Sequence, residues 1–185
     1  MNKKVLAVLI GAVIIIGAVL GGVAYVTRPA GHLSIDVNPS IEINFNRLNR
    51  VVNVEGINPE GEGLLFGQNY AGKEVDDVVE SIIGRLLSNG YLTTENSKLL
   101  FSADDSKLSR GLLTRINYST VQWLREYYDQ TEVFAQVVED DDLEKAHKLG
   151  LSFGRYALLK ELTDDLEGED AEFISMKLME IFEYA

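Results

Sequence analysis

An Asn-Pro pair, Asn38-Pro39, offers the clearest intramolecular chemistry in this sequence. An Asn side chain is usually attacked by the backbone nitrogen of the next residue, which deamidates it. Pro39 has no N–H, so that route is closed. In the remaining route, the side-chain amide nitrogen of Asn38 attacks its own backbone carbonyl, closes a succinimide and expels the nitrogen of Pro39. The predicted chemistry is therefore cleavage of the chain between Asn38 and Pro39.

Two side chains beside this pair, Asp36 and Ser40, are candidates for assisting the proton transfers. Their spacing does not place them against the reacting atoms. A backbone strained by a surrounding sheet could bring the reacting atoms together. The alternative is an inert turn or bulge, which is the common role of an Asn-Pro pair. A second pair, Asn58-Pro59, is predicted to be such a plain turn.

The segment around Asn38-Pro39 alternates like a β-strand. Its apolar side chains fall on odd positions, at Ile35, Val37, Ile41 and Ile43. The pattern predicts a first strand over residues 32–44 with Pro39 inside it, although a proline cannot donate to the ladder and normally marks an edge or a bulge. Residues 51–56 are predicted to be a second strand that forms a hairpin with the first.

The rest of the chain alternates helices with two further strands. Apolar residues at helical spacing predict a helix over residues 75–87 that stops at Asn89-Gly90. Ser106 is predicted to cap a second, long helix. The further strands are predicted at residues 98–103 and 133–138. This order predicts an α+β fold, a two-layer sandwich in which a small antiparallel sheet carries its helices on one face.

The acidic run from Glu139 to Asp142 invites a calcium site, but it lacks the glycine and the distal glutamate of an EF-hand loop. A helix N-terminus, which favours acidic residues, explains it better. The helix that begins at this acidic run is predicted to end at Gly150, and Ser152 is predicted to cap the helix that follows it. A final amphipathic segment, residues 164–185, is predicted to be helical and to dock on the domain or bind a partner.

Composition excludes several classes of function. The chain has 185 residues, no Cys and two His, so neither a thiolate metal site nor a Ser-His-Asp triad can be argued, and we expect no metal, no cofactor and no enzyme that acts on another molecule. After residue 29 there are 14 basic and 29 acidic residues, a net charge of −15. Such a domain repels nucleic acid and anionic lipid.

Residues 5–26 are uncharged and long enough to span a bilayer. Lys3 and Lys4 favour an N-terminus inside the cell, and Tyr25 and Arg28 suit the far interface, so the domain is expected outside. The alternative is a cleaved signal peptide, but the apolar stretch exceeds the usual length of about 7–15 residues. The predicted organisation is a cytoplasmic tail, a transmembrane helix, a linker, an extracytoplasmic domain and a C-terminal helical segment, at residues 1–4, 5–26, 27–32, 33–163 and 164–185.

Several motifs follow the predicted span. They are Leu33 to Ile43, Asn49 to Val52, Gly56 to Gly61, Asn89 to Leu92, Leu99 to Ser102 and Glu144 to Tyr156. Together they resemble the extracytoplasmic middle domain of RsgI-type anti-sigma factors from Firmicutes, over roughly residues 25–160. The first motif is the distinctive one, and the others are supportive.

The resemblance implies an SEA-like domain that cuts its own chain within the Asp-Val-Asn-Pro-Ser motif, at Asn38-Pro39 in this sequence. The halves are expected to stay associated. Loss of the outer half would expose a membrane stump to an intramembrane protease, and that step would free a sigma factor. The implied function is transmembrane signalling in an anti-sigma pathway, and the implied partners are the membrane, that protease and an anti-sigma component.

Family members carry a cytoplasmic sigma-binding domain before the span, where this sequence has only Met1 to Lys4. We therefore expect the sigma-binding part to be missing. Three explanations stay open: a misassigned start codon, a sensor half separated from its anti-sigma partner, or a degenerate relative. Two rival functions also stay open, an uncleaved membrane-tethered binding or structural module and a secreted domain released by signal peptidase.

Overall fold

The computed structural model describes residues 2–93, 98–127 and 131–163. The predicted C-terminal segment, residues 164–185, lies outside the described residues. Within these ranges the elements follow in the order α1 (Lys3–Thr27), β1 (Gly31–Asp36), β2 (Ser40–Phe45), β3 (Val51–Gly56), α2 (Pro59–Leu65), α3 (Val75–Ser88), β4 (Lys98–Asp104), α4 (Lys107–Tyr127), β5 (Glu132–Val138), α5 (Asp140–Lys148) and α6 (Phe153–Thr163). The fold is α+β, as predicted.

The first predicted strand is in fact two strands. β1 and β2 form a tight antiparallel hairpin, and Pro39 lies in the turn between them rather than inside a strand. The alternation runs through the turn without a slip because the turn has three residues. Ile35 therefore pairs directly with Ile41, and both point to one face of the sheet. The predicted hairpin with the next strand is confirmed as the pairing of β2 with β3.

The five strands form one mixed sheet in the order β3-β2-β1-β4-β5. The prediction of a purely antiparallel sheet was wrong at one edge, where β5 runs parallel to β4. A parallel neighbour needs a long crossover connection, and α4 supplies it with 21 residues. Strand β1, the first element after α1, is at the centre with β2 on one side and β4 on the other.

Helices cover both faces of the sheet, so the prediction of helices on one face was also wrong. One face packs against α3 and α4 in the main apolar core, which includes Leu33, Ile35, Ile43 and Phe101. On the other face α6 contacts β1, β4 and β5. That face is polar, with Ser34, Asp36, Glu42 and Ser102 on it, which is why its pattern alone does not indicate a covering helix.

Several local predictions are confirmed. Helix α3 keeps its apolar face buried and is followed by Gly90 at a φ of 76°, a left-handed value that glycine adopts without strain. The Ser106 hydroxyl accepts from the backbone N–H of Ser109, as expected of a helix cap. The acidic run supplies the N-cap of α5, Glu139, and the first turn of that helix, Asp140 to Asp142. Asn58-Pro59 is not a plain turn, because Asn58 is the N-cap of α2 and Pro59 its first residue.

Candidate functional site

The Asn-Pro pair lies in a turn that is held closed from within. The backbone N–H of Val37 donates to the carbonyl of Pro39 at 3.0 Å, so a hydrogen bond spans the predicted scissile bond. Val37 and Pro39 are buried, whereas Asn38 between them is half-buried. Asn38 has a φ of 157°, a positive value that is uncommon for a residue other than glycine. The turn is thus an ordered part of the domain.

Helix α2 clamps the start of β2, which is the second arm of the hairpin, as β1 is the first. The Asn58 side-chain oxygen accepts from the backbone N–H of Ser40 at 3.1 Å and from that of Gly61 at 2.9 Å. The N–H of Ile57 donates to the Ser40 carbonyl at 2.9 Å. A Cβ added at Gly61 would collide with that carbonyl, so only glycine allows α2 to approach this closely. Ser40, the second residue after the predicted cleavage point, is therefore fixed at both its N–H and its C=O.

Asp36 closes the first arm and is fully buried. Its carboxylate accepts hydrogen bonds from the hydroxyls of Ser34 at 2.9 Å and Ser152 at 2.5 Å. Burial raises the pKa of Asp36, and hydrogen bonds from neighbouring hydroxyls and the charge of Arg155 oppose that rise. Ser40 faces Asp36 across the hairpin. Its buried hydroxyl makes no bond of standard geometry, although its nearness still favours the carboxylate form of Asp36.

Glu42 carries a second buried carboxyl on the second arm. One oxygen accepts from the backbone N–H of Phe153 at 2.9 Å, and the other lies 2.7 Å from Nε2 of His147. Burial raises the pKa of Glu42, while the Phe153 N–H and His147 act in the opposite direction. Phe153 begins α6, so this carboxylate lies where the helix dipole favours negative charge.

Helix α6 reaches the sheet at Gly154. A Cβ built there would lie 2.6 Å from the Ser34 hydroxyl and 2.7 Å from Oδ2 of Asp36. The Gln136 side-chain amide donates to the Gly154 carbonyl at 2.7 Å and to the Ser102 hydroxyl at 3.0 Å. We call this buried contact of the hairpin with the start of α6 the polar layer, formed by Ser34, Asp36, Glu42, Ser102, Gln136, His147, Ser152 and Gly154.

The structure brings the four predicted site residues, Asn38, Pro39, Asp36 and Ser40, into one hairpin. The hydrogen bonds of Asp36 run to Ser34 and Ser152 rather than to Asn38. Asp36 thus orients the hairpin in this arrangement, and its assistance in proton transfer stays a prediction. Within the described ranges, no three acidic or imidazole side chains converge as a metal site would require.

Sequence reasoning missed the partners of the hairpin. Glu42, His147 and Gly154 had no assigned role, and Ser152 was expected only to cap a helix, which it does by accepting from the N–H of Arg155 at 3.2 Å. The available signal was the pattern of polar residues in β1 and β2, which suits a solvent-facing side as well as a covered one. A covered polar side and a solvent-facing one are distinguished only by contacts between residues more than 100 positions apart in the chain.

Comparison with known proteins gives consistent matches. Residues 30–161 match a family described as the anti-sigma factor RsgI-like central domain. Anti-sigma-I factor RsgI7 of Acetivibrio thermocellus is 27% identical over 156 residues, which cover 83% of this chain and 29% of the relative. RsgI9 of the same organism is 26% identical over 138 residues, or 70% of this chain and 20% of the relative. Anti-sigma-I factor RsgI of Bacillus anthracis is 23% identical over 128 residues, or 68% and 28%.

The chain thus spans less than a third of the length of these curated relatives. The family match begins before β1 and ends inside α6, at residue 161, so it includes the hairpin, its α2 clamp and the polar layer. The matched region is therefore the folded domain that contains the Asn-Pro turn. The chain therefore belongs to the RsgI-like anti-sigma factor family, whose central domain it carries at residues 30–161.

Proposed function

We propose that this protein is a single-pass membrane protein whose extracytoplasmic domain cuts its own chain between Asn38 and Pro39 and stays assembled afterwards. It serves transmembrane signalling in an anti-sigma pathway. The observation that carries the proposal is the position of the pair, in a tight turn whose two arms are separately fixed by hydrogen bonds. An ordered turn holds the reacting groups together, which lowers the entropic part of the barrier.

The proposed reaction balances within the chain. The Asn38 side-chain nitrogen forms a bond to the backbone carbonyl carbon of Asn38, and the bond from that carbon to the Pro39 nitrogen breaks. A proton lost from the attacking amide is matched by one gained at Pro39, which becomes a secondary amine. The first fragment ends in a succinimide at Asn38, which water later opens. No cofactor or metal enters these steps.

Non-covalent retention follows from the position of β1. After cleavage β1 belongs to the membrane-bound fragment, whereas β2 and β4 belong to the other fragment. The strand pairs with β2 over six residues and with β4 over four. Its apolar side chains Leu33 and Ile35 are fully buried, each contributing roughly 1.5–3 kcal/mol of burial. The cut strand therefore stays in the sheet until proteolysis or a mechanical load removes it.

The membrane assignment rests on α1. This helix is apolar and long enough to cross a bilayer by length and composition, although a signal sequence near an N-terminus passes the same test. Only residues 28–30 separate it from β1, so a pull on the central strand would be transmitted directly to the span. Lys3 and Lys4 favour an N-terminus inside. The partners in this proposal are a sigma factor, a separate anti-sigma component and an intramembrane protease.

The test is expression of the full chain in membranes, followed by purification in detergent and by denaturing electrophoresis and intact mass measurement. We expect a fragment that begins at Pro39 in the parent and none in Asn38→Ala. Asn58→Asp is the matched control, because it removes the second Asn-Pro pair while keeping the oxygen that caps α2. Intact, folded chains in both the parent and Asn38→Ala would contradict self-cleavage.

One observation favours the second candidate, an uncleaved membrane-tethered binding module. The Asp36 carboxylate is already engaged by two hydroxyls. In that function the hairpin, α2 and the polar layer only stabilise the domain. Asn38→Ala would then leave both the chain length and the domain's binding behaviour unchanged.

A further inference from the structure

Helix α6 touches both arms of the hairpin at its first turn. Ser152, the residue that caps α6, bonds Asp36 on the first arm. Phe153, the first helical residue, bonds Glu42 on the second arm. The scissile turn joins these two arms, so one short stretch of backbone bridges the two sides of the bond at which we propose cleavage.

Helices α5 and α6 form one unit behind this contact. Lys160 on α6 donates to both carboxylate oxygens of Asp142 on α5 at 3.1 Å. Phe153, Tyr156 and Leu159 bury their side chains in an apolar cluster separate from the main core. The apolar cluster holds α6 near the sheet, whereas the polar layer sets its register, because charged and buried hydrogen bonds tolerate little displacement.

We propose that the α5–α6 unit is a latch that positions the hairpin for self-cleavage, with Ser152, Glu42 and Gly154 as positioning residues. This inference rests on the proposed self-cleavage. Undocked α6 would remove the Ser152 hydroxyl from Asp36 and the Phe153 N–H from Glu42, so the two arms would lose the bridge across the turn. Cleavage then requires a docked α6, which is translated more than 100 residues after the turn. The latch thereby delays cleavage until the whole domain has folded.

The test uses the full chain and the variant Gly154→Ala, whose added Cβ meets Ser34 and Asp36 and pushes α6 away from the sheet. The matched control is Gly84→Ala on α3, where an added Cβ meets nothing. We expect Gly154→Ala to slow the appearance of the Pro39 fragment by at least about tenfold, which corresponds to the loss of one charged hydrogen bond. Gly84→Ala should cleave at the parental rate.

Hydrogen exchange separates failure of the latch from failure of self-cleavage. In an Asn38→Ala chain, which cannot cleave by this route, Gly154→Ala should raise exchange at the amides of Val37 and Ser40 by about tenfold. The latch is refuted if α6 amides exchange freely while those two stay protected. This comparison remains decisive even if the parent never cleaves.

Two further variants distinguish positioning from general stability. Glu42→Ala removes the acceptor of the Phe153 N–H, whereas Glu42→Gln keeps an oxygen there, so Gln should restore most of the rate lost with Ala. Leu124→Ala destabilises the opposite face of the sheet and should not change the rate at which folded chains cleave. Equal slowing by Leu124→Ala and Glu42→Ala would refute the positioning role. If Gly154→Ala does not fold, the cleavage rates of Glu42→Ala and Glu42→Gln are sufficient to test the positioning role.

Discussion

Replacing Asn58 by Ala removes one oxygen on which two backbone donors depend. Those donors are the N–H of Ser40, in β2, and the N–H of Gly61, in α2. Loss of a helix N-cap costs about 0.5–2 kcal/mol. A donor left unsatisfied away from water costs about 1–3 kcal/mol more. We therefore expect Asn58→Ala to lower the free energy of unfolding by about 2–4 kcal/mol, a large share of the stability of a typical domain.

The assay is urea unfolding followed by circular dichroism, with the Asn38→Ala substitution in every chain so that all of them stay covalently intact. Asn58→Asp keeps the acceptor and should lie within about 0.5 kcal/mol of its parent, since Asp and Asn cap helices equally well. Asn89→Ala, at the exposed end of α3, is the control for an Asn that accepts no buried donor. Equal destabilisation by Asn58→Ala and Asn89→Ala would refute the clamp.

Three further predictions concern packing and charge. Gly154→Ala should lower the free energy of unfolding by about 1–3 kcal/mol through overpacking, whereas Gly84→Ala should raise it by up to about 1 kcal/mol. Urea unfolding of the two variants measures both changes, and equal effects would contradict the close contact of α6 with the sheet. Burial raises the pKa of Glu42 above its usual 4.5, so the contribution of this group to stability is complete below pH 4.5 and declines as the pH rises toward the native pKa. Glu42→Gln should therefore flatten this part of the profile of melting temperature against pH. An unchanged slope in the variant would contradict the raised pKa. The hydrogen bonds from Arg115 lower the pKa of Asp76, so this exposed ion pair stabilises the domain above the usual carboxyl pKa and stabilises it less in acid. Arg115→Ala should lower the free energy of unfolding by at most about 1 kcal/mol at low salt and by less at high salt. A loss of stability that does not depend on salt would refute the ion pair.

In the proposed function, the central position of β1 is what keeps the domain assembled after the chain is cut next to this strand. A membrane-proximal strand at the edge of the sheet would be bonded on one side only, whereas β1 is bonded on both. Extraction must break its pairing with β2 and β4 together while exposing the apolar side chains of β1. The same arrangement makes removal of the strand a single cooperative event, which suits a signal that is either retained or released.

Local sequence patterns predicted most of the elements because their signals lie within one turn or one strand. The spacing of apolar residues from Val75 to Leu87 was sufficient for α3, and the capping role of Ser106 was legible from its place before an amphipathic stretch. The three-residue turn at Pro39 escaped this reasoning, since an odd number of turn residues keeps the alternation in phase. A proline inside a good strand pattern was the available sign of a turn.

Long-range features could not be read in the same way. Whether β5 runs parallel or antiparallel to β4 depends on the path of α4, and the sequence of β5 does not indicate the direction of the strand. The covered polar face depends on Ser152 and Gly154, whose contacts with Asp36 span more than 110 residues of chain. For the site, the sequence predicted the pair Asn38-Pro39 and its neighbours Asp36 and Ser40, while the clamp by Asn58 and the contact with Glu42 emerged only from the folded arrangement.

The most direct test of the central claim is the mass of the two fragments combined with their behaviour under native conditions. The full chain, purified in detergent without denaturant, is passed through size exclusion and then analysed by intact mass spectrometry. Self-cleavage predicts one native peak containing two polypeptides, residues 1–38 and residues 39–185, and an Asn38→Ala chain of full length. A single intact polypeptide in the parent, or fragments whose new end is not Pro39, would contradict the account.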